Sequence, residues 1–202
     1  MWSQLSIPDV DWSSSFEKVD WVRERLHPFG QGDVGSVIPD SFDAHIAIVH
    51  RDGRSVLPAQ TLDRLSDVLT QHTSSSDNCW FCIWDGYAWM HGGHAVTGNP
   101  PGLVPAAVRS GGRVRLPGRD YYLYRGDLRA ATTFVGWPWD LRPNLWWPAD
   151  RAWCVATEID NVSTYVGGTT ELAVELITDT VLGAIPIMPA EPFQEGRDYL
   201  SG

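Results

Sequence analysis

Residues 79–84 read Cys-Trp-Phe-Cys-Ile-Trp, six consecutive apolar side chains of strand-forming character closed by Asp85-Gly86. This run constrains the fold more than any other stretch. In an extended chain successive side chains leave the backbone on opposite sides. Cys79 then keeps company with Phe81 and Ile83, and Cys82 with Trp80 and Trp84. Both faces are apolar, so the segment reads as a buried strand, with Tyr87–Met90 as a second strand after the turn.

The same segment carries ligand-type side chains, because His91 and His94 follow in the pattern C-x2-C-x8-H-x2-H. A four-ligand zinc site needs both thiolates directed at one ion, which a turn provides. The residues between and around these cysteines are poor turn formers, and an ion cannot be reached from both sides of a sheet. The expectation is therefore a strand followed by a polar loop, with no metal and no cofactor.

The chain has 202 residues and a mass of 22.5 kDa, enough to bury a sizeable core in one domain. We assign 1–187 to that domain and 188–202 to a Pro-containing C-terminal extension. Hydrophobic residues make up 43% and charged residues 20%, which excludes a disordered chain. No run approaches the roughly eighteen apolar residues of a membrane span. The N-terminal residues lack a basic region followed by an apolar run, so no secretion signal is expected. Three cysteines suit reduced thiols in a cytoplasm better than a disulfide framework. The formal charge is −10, with acid in excess in both halves. This disfavours nucleic acid and anionic membranes and permits a basic protein partner.

Helical periodicity is present in three places. Phe16, Val19, Val22 and Leu26 follow a Ser14-to-Glu17 capping box. Leu62, Leu65 and Leu69 follow Pro58. Leu172, Ala173, Leu176, Ile177 and Val181 follow a Thr169 or Thr170 cap and end at Gly183. A further short helix is expected from Asp127 to Val135. Strands are expected at 44–50, 79–84, 121–124, 152–159 and 164–166. Residues 136–148 hold three prolines and read as irregular. The pattern predicts an α+β domain, a mainly antiparallel sheet with about four helices packed on it.

Candidate chemistry is sparse. Glu158 and Asp160, two apart at the end of a strand, would share a face and could hold a divalent cation or act as acid and base on a glycoside. Trp137, Trp139, Trp146 and Trp147 would stack on a ligand there. Arg109, Arg113, Arg115, Arg119, Arg125 and Arg129 face only Asp120 and Asp127 in their stretch; they form an anion site or pair within the molecule. Neither a Walker pattern nor GxSxG occurs. Gly167-Gly168 before a helix resembles an anion-accepting turn.

The segments CWFCIWDGYAW, RLPGRDYYLYRG and NLWWPADRAWCVATEIDNVSTYVGG resemble a family from high-GC Gram-positive (actinobacterial) bacteria. No activity is assigned to that family, and the likeness runs over about residues 40–185. It implies a bacterial cytoplasmic setting and no catalytic residue. A looser likeness, in size and α+β pattern, is to the SMI1/KNR4-like immunity proteins. The reading that follows is a non-catalytic acidic protein-binding module of immunity or accessory type. Its contact surface is Trp137, Trp139, Trp146, Trp147 and Tyr165, with Asp150, Arg151, Glu158 and Asp160 as polar rim. The alternative is a small-ligand-binding protein or hydrolase using Glu158 and Asp160.

Overall fold

In the computed structural model, residues 10–50, 52–87, 103–135 and 141–193 are described. The expected strand from 87 to 90, His91, His94, Trp137 and Trp139 thus lie wholly or in large part outside the described residues. Among the described residues nine strands form one antiparallel sheet: β1 (Asp11–Ser13), β2 (Ala44–Val49), β3 (Cys79–Trp84), β4 (Val114–Leu116), β5 (Arg119–Gly126), β6 (Leu145–Pro148), β7 (Cys154–Thr157), β8 (Ser163–Gly168) and β9 (Ala184–Pro186). Their order is β1-β5-β3-β6-β7-β8-β2-β9, with β4 also paired to β5. Four α-helices accompany it: α1 (Asp20–Arg23), α2 (Ala59–Gln71), α3 (Ala106–Arg109) and α4 (Thr170–Thr178). The α+β class and the antiparallel sheet are as the sequence predicts.

Alternation in β3 sorts its side chains as expected. Cys79, Phe81 and Ile83 join one apolar core, and Trp80 and Cys82 join the other. The first core is covered by α2 and α4, which contribute Leu62, Leu65, Val68, Leu69, Leu172 and Leu176. The second is covered by 310 turns at Phe16–Val19 and Val34–Ser36 and by α1, through Val19, Val22 and Val34. Burial pushes the Cys79 thiol up to about 12. It raises Cys82 and Cys154 as well, so all three are inert thiols in apolar surroundings.

Residues 145–148 overturn the expectation of irregular structure. They form β6, a central strand between β3 and β7. Pro148 stands last in the strand, where a missing N–H interrupts least of the ladder, and the ladder resumes with Ala149 N–H on Asn78 O at 2.9 Å. Trp146 and Trp147 point to opposite faces, one into each core. Trp146 lies 6.0 Å from the Phe81 ring and 5.3 Å from Trp153. Trp153 in turn donates its indole N–H to Leu69 O of α2 at 3.0 Å, fastening helix to sheet.

Several local expectations change. The Ser14 capping box does not form; the first helical stretch is a 310 turn followed by the single turn of α1, and no side chain caps it. Asp127 caps nothing, and 128–132 is a 310 turn. In α4 the Thr169 hydroxyl accepts from Leu172 N–H as expected, and Gly183 takes the left-handed conformation after it. Ile177 and Val181, expected inward, are 39% and 53% exposed. The stretch after Ile187 is held as far as Phe193. Val34 N–H donates to Glu191 O at 2.9 Å, Gly35 N–H to Pro189 O at 2.7 Å, and Phe193 N–H to Gly32 O at 3.0 Å.

Truncating Trp146 removes a side chain with almost no solvent contact. Trp146→Ala is expected to cost about 3–5 kcal/mol, a fall in Tm of roughly 10 °C or more by calorimetry. Val174→Ala, on the exposed side of α4, should leave Tm within a degree or two of wild type.

Candidate functional site

One end of the sheet collects the polar chemistry. There β2, β3 and β7 end and β5, β6 and β8 begin. Of the buried polar residues among those described, His50, Arg142, Asn144, Thr157, Glu158, Asn161, Ser163 and Thr164 lie at this end, and Ser36 borders it from the covering layer. Buried polar groups are costly unless they are hydrogen-bonded, and four of these, His50, Asn144, Thr157 and Thr164, are joined across the strand ends.

The row on the α2/α4 face is continuous. Trp84 N–H donates to Asn144 Oδ1 at 2.9 Å, and Asn144 Nδ2 reaches Thr157 O at 3.3 Å and the Tyr87 hydroxyl at 3.4 Å. The Thr157 and Thr164 hydroxyls are 2.8 Å apart, and Thr164 lies 2.9 Å from His50 Nε2. His50 Nδ1 meets the Arg54 carbonyl at 2.7 Å. A carbonyl only accepts, so Nδ1 carries the proton and Nε2 accepts from Thr164. Burial lowers the His50 pKa, which keeps the ring neutral.

On the other face the centre is Arg119, the first residue of β5. Its Nε donates to Glu158 Oε2 at 3.1 Å, and its Nη2 donates to Glu158 Oε1 and, at 2.9 Å, to Asp160 Oδ2. The guanidinium lies 5.0 Å from the Trp84 ring and 5.4 Å from Phe29, within cation–π range of both rings. Gly118 makes the approach possible. Its φ is +87°, and a Cβ there would come within 2.4 Å of Phe29. Glu158 borders a narrow cleft of about 320 Å³ with Phe29, Ser36, Tyr121 and Asn144. A wider groove of about 820 Å³, walled by Trp84, Gly86, Gly118 and Asp120, opens on the Arg119 side.

The residues singled out from sequence separate on this map. Glu158 and Asp160 do come together, but through Arg119 and not through strand alternation, because β7 stops at Thr157. Glu158 is buried, whereas the Asp160 side chain is 80% exposed. Trp146, Trp147 and Tyr165 are core residues and not surface; Tyr165 accepts from Asn161 Nδ2 at 2.8 Å. Asp150 and Arg151 stand at the opposite end of β6 and β7. Arg151 has a φ of 58° and places its guanidinium 5.3 Å from the Trp21 ring. Trp137 and Trp139 lie outside the described residues.

Several of the clustered arginines bond within the molecule. Arg113 bonds Asp85 at 2.8 Å and the Tyr122 hydroxyl at 2.6 Å, Arg119 bonds Glu158, and Arg125 bonds Asn78 at 2.8 Å. Sequence reasoning missed His50, Asn144, Thr157 and Thr164. The available signal was a polar residue at the end of each apolar run: His50 after AHIAIV, Asn144 before LWWP, Thr157 closing CVAT.

Two outcomes follow. Arg119→Met is expected to destabilise by about 3–5 kcal/mol, because it strands a buried carboxylate; adding Glu158→Gln should recover much of that loss in urea unfolding. Asp150 is held below the ordinary carboxylate range: desolvation opposes the shift, but hydrogen bonds from Thr73, Ser74 and Ala152 outweigh it. A lowered pKa stabilises above the unfolded-state value and is lost as pH falls through the folded one. The Tm advantage of wild type over Asp150→Asn should therefore be full at neutral pH and vanish in acid. Compared with protein-family models, curated proteins and solved structures, the chain matches none.

Proposed function

We propose that the protein is a non-catalytic module that binds another protein, and that its contact surface is the outer side of α4 with the neighbouring sheet edge. One observation carries this. The exposed large apolar side chains among the described residues are Val174, Ile177, Val181, Ile185 and Met188, all within one short span of sequence. Val174, Ile177 and Val181 follow one another at helical spacing along and just beyond α4. The register pairs Ile185 with Ala47, which belongs to the opposite core, so the apolar surface straddles the β9 edge.

A helix that is apolar beyond the arc its own sheet can cover has a second surface to bury. Full burial of each branched side chain is worth about 1.5–3 kcal/mol. Glu171 stands exposed on the same helix, Glu175 is shared with His72 and Asp179 with Arg64, and the chain carries −10 overall. A basic partner complements this rim, and electrostatic steering speeds its encounter. A second copy of the chain would set acid against acid. The edge strand has only three residues and ends in Pro186, so contact through side chains is favoured over strand addition.

The hydrolase alternative has less support. Both oxygens of Glu158 are engaged by Arg119, and the exposed Asp160 is paired with the same guanidinium, so neither carboxylate stands poised for proton transfer. An immunity- or accessory-type role in an actinobacterial cytoplasm, as the sequence resemblance implies, fits a binding module.

The test is a paired capture from the source lysate with wild type and Val174→Asp/Ile177→Asp as baits. A stoichiometric basic protein retained by wild type and reduced at least tenfold by the variant, at unchanged Tm, supports the assignment. Equal retention by both baits, or none by either, sinks it.

A further inference from the structure

Below the exposed stripe the chain folds a socket. Its walls are Ile48 and Val49 at the end of β2, Leu57 and Pro58 ahead of α2, and Val181 and Leu182 after α4; His50, Asp52 and Thr61 complete the lining. The space opens to solvent and has a volume of about 170 Å³, room for one side chain and less than the roughly 300–1,000 Å³ of small-ligand pockets. Val181 belongs both to the socket wall and to the apolar stripe, so the two surfaces are continuous.

The lining is apolar except for three residues, and their roles differ. His50 has both ring nitrogens committed, to Arg54 O and to the Thr164 hydroxyl, so it positions the loop and recognises nothing. Thr61 offers one hydroxyl on the first turns of α2. Asp52 is the charged group of the lining. It is exposed, and one oxygen is oriented by the Arg54 N–H at 3.1 Å. An aliphatic shaft with a carboxylate beside it matches one side-chain chemistry: a methylene stem ending in a cation. Lys and Arg bury their stems against apolar walls while the head stays wet. The neutral state of His50 removes the one group in the lining that would repel such a head.

We infer that this socket anchors a lysine or arginine side chain of the protein partner, its stem between Leu57, Pro58, Val181 and Leu182 and its head on Asp52. The inference rests on the binding-module proposal and deepens it, since it names the chemistry that the partner must present next to its apolar face. An acidic or purely apolar side chain does not satisfy the same lining. The anionic chain itself, met as a second copy, offers the wrong sign of charge around the socket.

The socket can be tested without the partner. Nα-acetyl-lysine methylamide is titrated into methyl-labelled protein, with Nα-acetyl-norleucine methylamide as the uncharged match and Nα-acetyl-glutamate methylamide as the acidic one. The expected result is saturable shifts of the Ile48, Leu57, Val181 and Leu182 methyls with the lysine probe. Binding should weaken by up to about fivefold with norleucine or with Asp52→Asn, the worth of a solvent-facing ion pair, and Asp52→Glu should restore it. No saturable shift at these methyls overturns the inference, as does equal binding of the lysine and norleucine probes. Glutamate binding best also overturns it. Asp52 is a surface residue, so its variants keep the fold. The Val174→Asp/Ile177→Asp variant separates the two proposals: it should lose the captured partner yet keep the lysine shifts. A socket that fails while capture still depends on the stripe removes the anchor alone.

Discussion

The structure depends on one constraint: its central strands are apolar on both faces, so the sheet must be covered twice. β3 sends Phe81 to one core and Cys82 to the other, and β6 divides Trp146 and Trp147 in the same way. An antiparallel sheet can leave one face to water, but these strands give it no face to leave. α2 and α4 cover one side. The other is closed by short helical turns from the N-terminal quarter, strapped by backbone hydrogen bonds to the stretch ending at Phe193. The thinness of that second layer follows from what builds it, since 310 turns and a four-residue helix present few side chains each.

Covering both faces moves the chain's polar groups to the strand ends, and one end receives nearly all that are buried. Arg119 and Glu158 illustrate the energetics. Desolvating an ion pair costs about as much as the pair returns, so its presence contributes little net stability, while the loss of one member is severe. What the pair adds is geometry. It ties the first residue of β5 to the turn after β7 and keeps the guanidinium within cation–π distance of the Trp84 and Phe29 rings. The Thr157–Thr164–His50 row does the same on the other face, with each hydroxyl donating in one direction until the Arg54 carbonyl ends it.

Sequence alone showed the strands whose apolar runs are unbroken and the helices with a single periodic face. β3 and α2 were legible for that reason. β6 was not, because prolines at 143 and 148 bracket it so closely that only four residues lie between them. Strand character there comes from two neighbours, β3 and β7, which the local sequence does not contain. The short edge strands β1 and β9 were missed on the same ground. Of the candidate site, Glu158 and Asp160 were found for a wrong reason, since an arginine thirty-nine residues before Glu158 joins them and not their spacing. Aromatic clustering misled more deeply: Trp146 and Trp147 are adjacent because a strand needs one for each core, and their adjacency says nothing of a surface.

The α4 helix shows where periodicity reaches its limit. Leu172, Ala173 and Leu176 face the sheet, and Ile177 and Val181 continue the same apolar sector in sequence, yet both emerge to solvent. Hydrophobic spacing records every surface a helix is built to bury, without distinguishing the protein's own core from a partner's. α4 packs on β2, β8 and β9, and β9 is the last strand on that side among the described residues, so the sector has outgrown its support there. Residues that are apolar by pattern and exposed by geometry, beside a socket that opens at Val181, are the observation on which the binding proposal stands.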